Sequence, residues 1–257
     1  MTQAYSAGFA RIYNLRWGGF VRTVGPRLLD YADANWPRNA DLSVLDLCCG
    51  TGQLATLFLE RGYRVVGLDL SEPMLGFARE NNRAALEQGR AQFVRGDAAD
   101  FDLPEKFGLV VSTFDALNHL PGPEALQNCF RCVRESLVPG GHFVFDLNTR
   151  SGLNRWNWIN VEDVQDLVLI TRGVYDRDAG RAYTRISGFS RREDGFYERF
   201  EQTAYNCAFD LSEVKRWLEE QGFENVRFAP GRDFSLPLAE PEEEPRVFIF
   251  ADRPESD

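Results

Sequence analysis

Positive charge is neither abundant nor clustered in this sequence. Its 257 residues carry 29 Lys and Arg against 39 Asp and Glu, a formal net charge of −10, and nowhere do four basic residues run together. A surface that displaces counterions from DNA or RNA needs such a basic face, so no nucleic-acid partner is expected. Long apolar runs are missing too: each falls far below the ~18 residues that a membrane span requires. The opening Met1-Thr2-Gln3-Ala4-Tyr5-Ser6 has neither the cationic start nor the apolar core of a secretion signal. A cytosolic protein with no membrane partner is the expectation. Cysteines number five, an odd count with Cys48 and Cys49 adjacent, which fits no disulfide framework. Cys129 and Cys132 form a C-x-x-C inside a helical pattern, but no second Cys or His pair accompanies them. They read as small buried helix residues, and no metal site is expected. Histidine is scarcest of all: His119 and His142 are the only two, and His142, opening a strand, reads as solvent-facing.

The remaining composition, 44% hydrophobic and 26% charged, is that of an ordinary folded domain with enough chain for a sizeable core. From residue 41 short apolar runs alternate with helical patterns, the signature of βαβ units on a parallel sheet. Strands are expected at Ser43–Leu47, Arg64–Asp69, Ala91–Arg95, Phe107–Thr113 and His142–Leu147, the last preceded by a Pro139-Gly140-Gly141 turn. Ser71 caps one intervening helix, whose first turn holds Glu72 and Pro73. Across residues 160–206 the period changes to two, with strands around 168–175, 182–189 and 196–205 and hairpin turns at Asp176–Gly180 and Glu193-Asp194-Gly195. A helix, Leu211–Gln221, capped by Asp210 or Ser212, and strands at Phe223–Phe228 and Arg246–Ala251 restore the α/β pattern. Four segments follow: a helical lid (1–40), a core (41–159), an inserted antiparallel meander (160–206) and the completion of the core (207–257).

Chemistry concentrates after the first strand. Val44-Leu45-Asp46-Leu47-Cys48-Cys49-Gly50-Thr51-Gly52 puts G-x-G between a buried strand and a helix, where backbone amides can approach a ligand closely. With Ala55 it also satisfies G-x-G-x-x-A, and Asp69 stands nineteen residues after Gly50, as a ribose-binding acid would. A dinucleotide and another adenosine ligand both fit so far. Asp46 favours the second, because a carboxylate repels a pyrophosphate and attracts a cation. S-adenosylmethionine is cationic, and its ribose diol suits Asp69 while its adenine amine suits Asp97 in Gly96-Asp97-Ala98.

On these residues the chain resembles the class I S-adenosylmethionine-dependent methyltransferases over nearly its whole length. Leu45–Gly52, Val66–Ser71, Gly96–Ala98, Phe107–Thr113 and Leu137–Gly141 match the family motifs in order. The resemblance implies a Rossmann-like α/β fold: a seven-stranded, mainly parallel sheet of order 3-2-1-4-5-7-6 with strand seven antiparallel. Tyr5-x-x-x-Phe9-Ala10-x-x-Tyr13-Asn14, Phe114–Leu120 and Phe145–Thr149 look like the small-molecule branch that includes amino-sugar N-methyltransferases. Asn14 stands where that branch usually has Asp.

The implied cofactor is S-adenosyl-L-methionine, held by Tyr13, Asp46, Cys48, Gly50, Thr51, Gly52, Asp69, Leu70, Met74, Gly96, Asp97, Ala98 and Phe114. Met74 is equally readable as core packing. A small-molecule acceptor would meet Trp17, Asn118, His119, Asn148, Arg150 and Trp156, with His119 as first choice of base and Asp115 as second. Tyr175, Tyr183, Phe196 and Tyr197 on the meander would cover the acceptor or pair two copies in a homodimer. Methyl transfer to a nitrogen or oxygen nucleophile is the leading reading. A catalytically silent S-adenosylmethionine-binding partner and a nicotinamide oxidoreductase stand as alternatives.

Overall fold

The structure is a computed structural model and describes residues 5–35, 43–192 and 194–256. The expected boundary between residues 40 and 41 and Glu193 of the second hairpin turn lie outside them. Two helices come first, α1 (Ala7–Arg16) and α2 (Gly19–Asn35). The core then follows as β1 (Ser43–Leu47), α3 (Gln53–Glu60), β2 (Arg64–Asp69), α4 (Glu72–Asn81), α5 (Arg83–Glu87), β3 (Ala91–Arg95), β4 (Phe107–Ser112), α6 (Pro123–Ser136), β5 (Leu137–Asn148) and α7 (Arg150–Leu153). Four long strands make the meander, β6 (Trp158–Val164), β7 (Leu167–Asp176), β8 (Arg181–Arg191) and β9 (Tyr197–Cys207), before α8 (Leu211–Glu220), β10 (Glu224–Pro230) and β11 (Arg246–Asp252) close the chain.

Strands β3-β2-β1-β4-β5-β11-β10 form one sheet in that order, parallel from β3 to β5. β11 runs antiparallel to both β5 and β10, which is the expected order and orientation. Alternation along β1 explains the layers. Leu45 and Leu47 face a cluster with Phe130 and Val133 of α6 and Trp217 of α8, whereas Val44 faces Leu28, Phe58 and Leu75 of α2, α3 and α4. Ser71 caps α4 by accepting from the Met74 amide, and Asp210, not Ser212, caps α8.

Three features differ from expectation. β5 begins at Leu137, and Pro139-Gly140-Gly141 lies within it at a break in the ladder to β4, because two outer residues pair before the strand resumes at His142. The meander holds a fourth strand, β6, which starts at Trp158 and so crosses the 159/160 boundary. It is an edge strand with both faces largely exposed, which removes the burial alternation that reveals a strand. His142 is not solvent-facing: its Nδ1 lies 2.7 Å from an Asp252 oxygen and its side chain is 16% exposed. Cys129 and Cys132 are both buried on α6.

The meander is a separate four-stranded sheet, β6-β7-β8-β9. α1 joins it to the core: Phe9, Ala10 and Ile12 pack with Met74 of α4 and with Leu169, Ile186 and Phe200 of the meander. Among the described residues no helix is long and apolar enough to cross a membrane.

Candidate active site

A cavity of about 330 Å3 lies where the C-terminal edge of the parallel sheet, the lid helix α1 and the inner face of the meander meet. In open α/β sheets that edge is where ligands bind. The fold builds its floor from strand ends. Gly50 and Gly52 follow β1 with φ of 54° and 71°, a left-handed region open to glycine at little cost. A Cβ at Gly52 would also stand 3.0 Å from that of Ala78. β2 ends in Asp69, whose two carboxylate oxygens accept from the amides of Gly50 at 2.9 Å and Ser71 at 2.8 Å. Asp97 follows β3 and accepts from the Ala99 amide at 3.0 Å.

Of the residues expected at the cofactor, Tyr13, Cys48, Gly50, Asp69, Leu70, Met74, Gly96, Asp97, Ala98 and Phe114 all line this cavity. Burial raises the Cys48 thiol and the Tyr13 hydroxyl, so both stay protonated. Thr51 and Gly52 do not reach the cavity: Thr51 is buried and Gly52 packs on α4 behind the loop. Asp46 is likewise beneath the loop, 2% exposed, and burial together with the charge of Asp69 pushes its carboxyl up to about 7.

The acceptor side divides more sharply. Trp17, Asp115, His119 and Trp156 line the cavity. Trp17 stacks on Tyr13 with ring centres 5.8 Å apart, and the Trp156 indole donates to Thr184 Oγ1 at 2.7 Å. Asn118, expected to face the acceptor, does not. It is fully buried, its amide donates to the carbonyls of Asn148 and Cys207, and its oxygen accepts from the Asn148 amide. Every group it has is spent tying the 3-10 turn Ala116–His119 to β5 and β9. Asn148 is buried behind the same contact, and Arg150 is exposed beside a different surface cleft, with Arg177 and Arg181. The four meander aromatics are also elsewhere. Tyr183, Phe196 and Tyr197 are exposed, and Tyr175 borders the Arg150 cleft at the far end of the face that supplies Thr171, Thr184, Ile186, Ala204 and Asn206 to the cavity.

His119 sits at the centre of the acceptor side. Its Nδ1 is 2.8 Å from the Tyr205 carbonyl, and its Nε2 is 3.3 Å from the Tyr5 hydroxyl and 3.5 Å from Asn206. A carbonyl only accepts, so Nδ1 bears the hydrogen and Nε2 holds a lone pair inside the cavity. Burial lowers the imidazole below its usual value, with Asp115 and the Tyr205 contact opposing that shift.

One arrangement was not read from the sequence. Phe114 and Asp115 both have left-handed backbones, φ 65° and 52°, a conformation that costs a non-glycine residue about 1–3 kcal/mol. The Asp146 carboxylate holds them there, accepting from the Phe114 amide at 2.6 Å and the Asp115 amide at 2.9 Å. Arg246 of β11 then bridges Asp146 and Asp115, the latter at 2.6 Å, while Asn206 donates to the second Asp115 oxygen at 3.0 Å. With both oxygens engaged, Asp115 is a holding group and not the second-choice base. Burial pulls the Arg246 guanidinium down, but Asp115 and Asp146 outweigh it and the net shift is upward. An Asp in the middle of the apolar run Phe145–Leu147 was the available signal, since a buried carboxylate needs a partner.

The cavity suits S-adenosylmethionine. Its β1–β3 end offers a glycine-loop backbone and two strand-end carboxylates, Asp69 and Asp97, and no basic side chain among the described residues lines it there. Comparison with known proteins agrees. Residues 44–141 match the family model described as a methyltransferase domain. A Geobacillus sp. (strain WCH70) protein named as a methyltransferase is 27% identical over 210 residues, 80% of this chain and 81% of its own. The dTDP-3-amino-3,4,6-trideoxy-alpha-D-glucopyranose N,N-dimethyltransferase of Streptomyces venezuelae is 34% identical over 144 residues, 55% of this chain and 58% of its own. A crystal structure of an S-adenosylmethionine-dependent methyltransferase from Clostridium acetobutylicum ATCC 824 shares the fold at a TM-score of 0.80 and 21% identity, covering 96% of this chain and 98% of that one. Residues 44–141 thus carry a methyltransferase domain, set in a Rossmann-like fold that the chain shares with an S-adenosylmethionine-dependent methyltransferase.

Proposed function

We propose that the protein methylates a nitrogen or oxygen nucleophile of a small molecule held between the strand ends and the meander, with His119 taking the acceptor's proton. The observation that carries this is the His119 lone pair: a half-buried neutral imidazole, fixed by the Tyr205 carbonyl, aims Nε2 into the cavity beside the lid tyrosine Tyr5. Bound S-adenosylmethionine supplies an electrophilic methyl group on sulfonium. The chain's own work is alignment and exclusion of water, since in-line displacement needs no covalent protein intermediate. Asp69 and the Gly50 loop would hold the ribose end and Asp97 the adenine. Tyr13 and Trp17 close the cavity from above, and Trp156 bounds the acceptor.

The test is S-adenosylhomocysteine formation with labelled cofactor and a pool of small metabolites, followed by mass spectrometry of the labelled product. Cofactor binding without turnover on any acceptor would favour the silent-partner reading instead. We further propose a homodimer through the outer meander face, where Ile159, Val161, Ile170 and Phe189 are 40–66% exposed. Sedimentation of wild type against Val161→Glu tests it. The five free cysteines suit a cytosolic setting.

A further inference from the structure

We propose that the acceptor is a free amine that carries no phosphate, and not a nucleotide-linked molecule. The proposal rests on the methyl-transfer reading above and goes on to name the substrate class.

Charge around the cavity decides it. Of the three carboxylates that line the space, Asp69 and Asp97 lie at the cofactor end and Asp115 on the acceptor side, where the one permanently charged basic side chain among the described residues that line it is Arg246. That guanidinium is not available to an anion. One N–H of each terminal nitrogen goes to a carboxylate, Asp115 or Asp146, and the guanidinium lies 4.9 Å from the Phe20 ring centre and 5.5 Å from that of Phe114, so its charge is already paired and rings cover it. The trio of Asp115, Asp146 and Arg246 keeps a net charge of −1. A phosphate brought there would meet two carboxylates and a guanidinium whose charge they already pair, whereas an ammonium would meet a carboxylate and indole faces.

Size points the same way. About 330 Å3 is near the lower end for ligand pockets, roughly 300–1,000 Å3, and this space must take cofactor and acceptor together. The walls left for the acceptor are Trp156, Trp158, Thr171, Thr184 and Ile186, which are neutral. An adjoining cleft shares Trp17, Trp158 and Thr171 and contains Arg16 and Arg22. Arg16 is ion-paired to Glu162, which leaves Arg22 as the cation there that a diphosphate outside the cavity would need.

The step balances for an amine. An ammonium acceptor gives one proton to His119 Nε2, its freed lone pair forms the new N–C bond, and the C–S bond breaks with its electron pair passing to sulfur. The product is a methylated ammonium, neutral S-adenosylhomocysteine and one proton on His119, which passes to solvent.

The experiment uses full-length protein with labelled S-adenosylmethionine, a panel of unphosphorylated primary and secondary amines, matched alcohols, and dTDP as the anionic probe. Label is expected on amines, with no inhibition by dTDP and no dTDP binding to the S-adenosylhomocysteine-loaded protein in calorimetry. Asp115→Asn, which removes one of the two carboxylate charges paired with Arg246, should gain dTDP affinity by at least about tenfold. Transfer confined to alcohols overturns the proposal. So does dTDP binding to wild type, and loss of that binding in Arg22→Ala would locate it in the adjoining cleft. If Asp115→Asn does not fold, the wild-type arm decides alone. Absence of cofactor binding, read in a separate titration, would defeat the underlying methyl-transfer reading and not the charge argument.

Discussion

The carbonyl oxygen of Tyr205 stands 2.8 Å from Nδ1 of His119, a contact that joins β9 of the meander to the turn after β4. It fixes the tautomer, so the meander does more than roof the cavity: it determines which imidazole nitrogen can accept a proton. Because burial lowers this imidazole, its neutral form persists below the usual 6.5. Turnover should therefore rise with pH and level off at or below about 6.5. His119→Ala should lower the rate by roughly 10²–10⁴-fold with little change in cofactor affinity. A variant that keeps more than about a tenth of the rate with the same acidic limb would reduce His119 to a positioning residue.

Arg246 bears on stability. Its replacement by Met leaves Asp115 and Asp146 facing each other with no counter-charge, and Asp146 is fully buried. Breaking such an ion pair from one side costs about 3–5 kcal/mol. Urea unfolding of Arg246→Met should show that loss, together with a misplaced Phe114 and Asp115. A loss under about 1 kcal/mol, the range of a surface pair, would mean that the cluster is not structurally coupled.

What the sequence disclosed and what it withheld follow from distance along the chain. The glycine loop, Ser71 and strand-end Asp69 are local: φ demands, capping and strand ends operate within a few residues, so Gly50, Asp69 and Asp97 could be placed from their neighbours alone. Arg246 and Asp115 are 131 residues apart, and Asn206 meets Asp115 across 91. No local pattern links them. Asn118 misled for a related reason. A polar residue in a loop at a sheet edge looks available, yet its three hydrogen bonds go to backbone groups of β5 and to Cys207 of β9. Arg150 sits on α7, directly after β5, but the turn directs it to another cleft.

Asp69 gives a binding prediction. Its oxygens already tie the Gly50 and Ser71 amides, so Asp69→Ala removes the tether that shapes the loop together with the proposed ribose contact. Cofactor affinity should fall by about 1.5–3 kcal/mol, the worth of a hydrogen bond to a charged group. Calorimetry with S-adenosylmethionine reads this directly, and unchanged affinity would remove Asp69 from the ribose site.

Asp46 gives a prediction about stability and pH. It is buried under the loop with Oδ2 lacking a hydrogen-bond partner, and its carboxyl titrates at about 7, raised first by burial and then by Asp69, against an opposing Ala55 amide. In the unfolded chain the same group titrates near 3.9. Between those values the folded protein holds a proton that the unfolded chain releases, so stability is fully present below about 4 and falls as pH rises through about 7. A separation of about three units corresponds to at most ~4 kcal/mol. Asp46→Asn keeps the shape and removes the titration. Its urea-unfolding free energy should therefore decline less than that of wild type between pH 5 and pH 8, two values chosen to bracket about 7. Parallel declines in the two proteins would show that Asp46 is ionised in the folded state throughout, satisfied by a partner beneath the glycine loop.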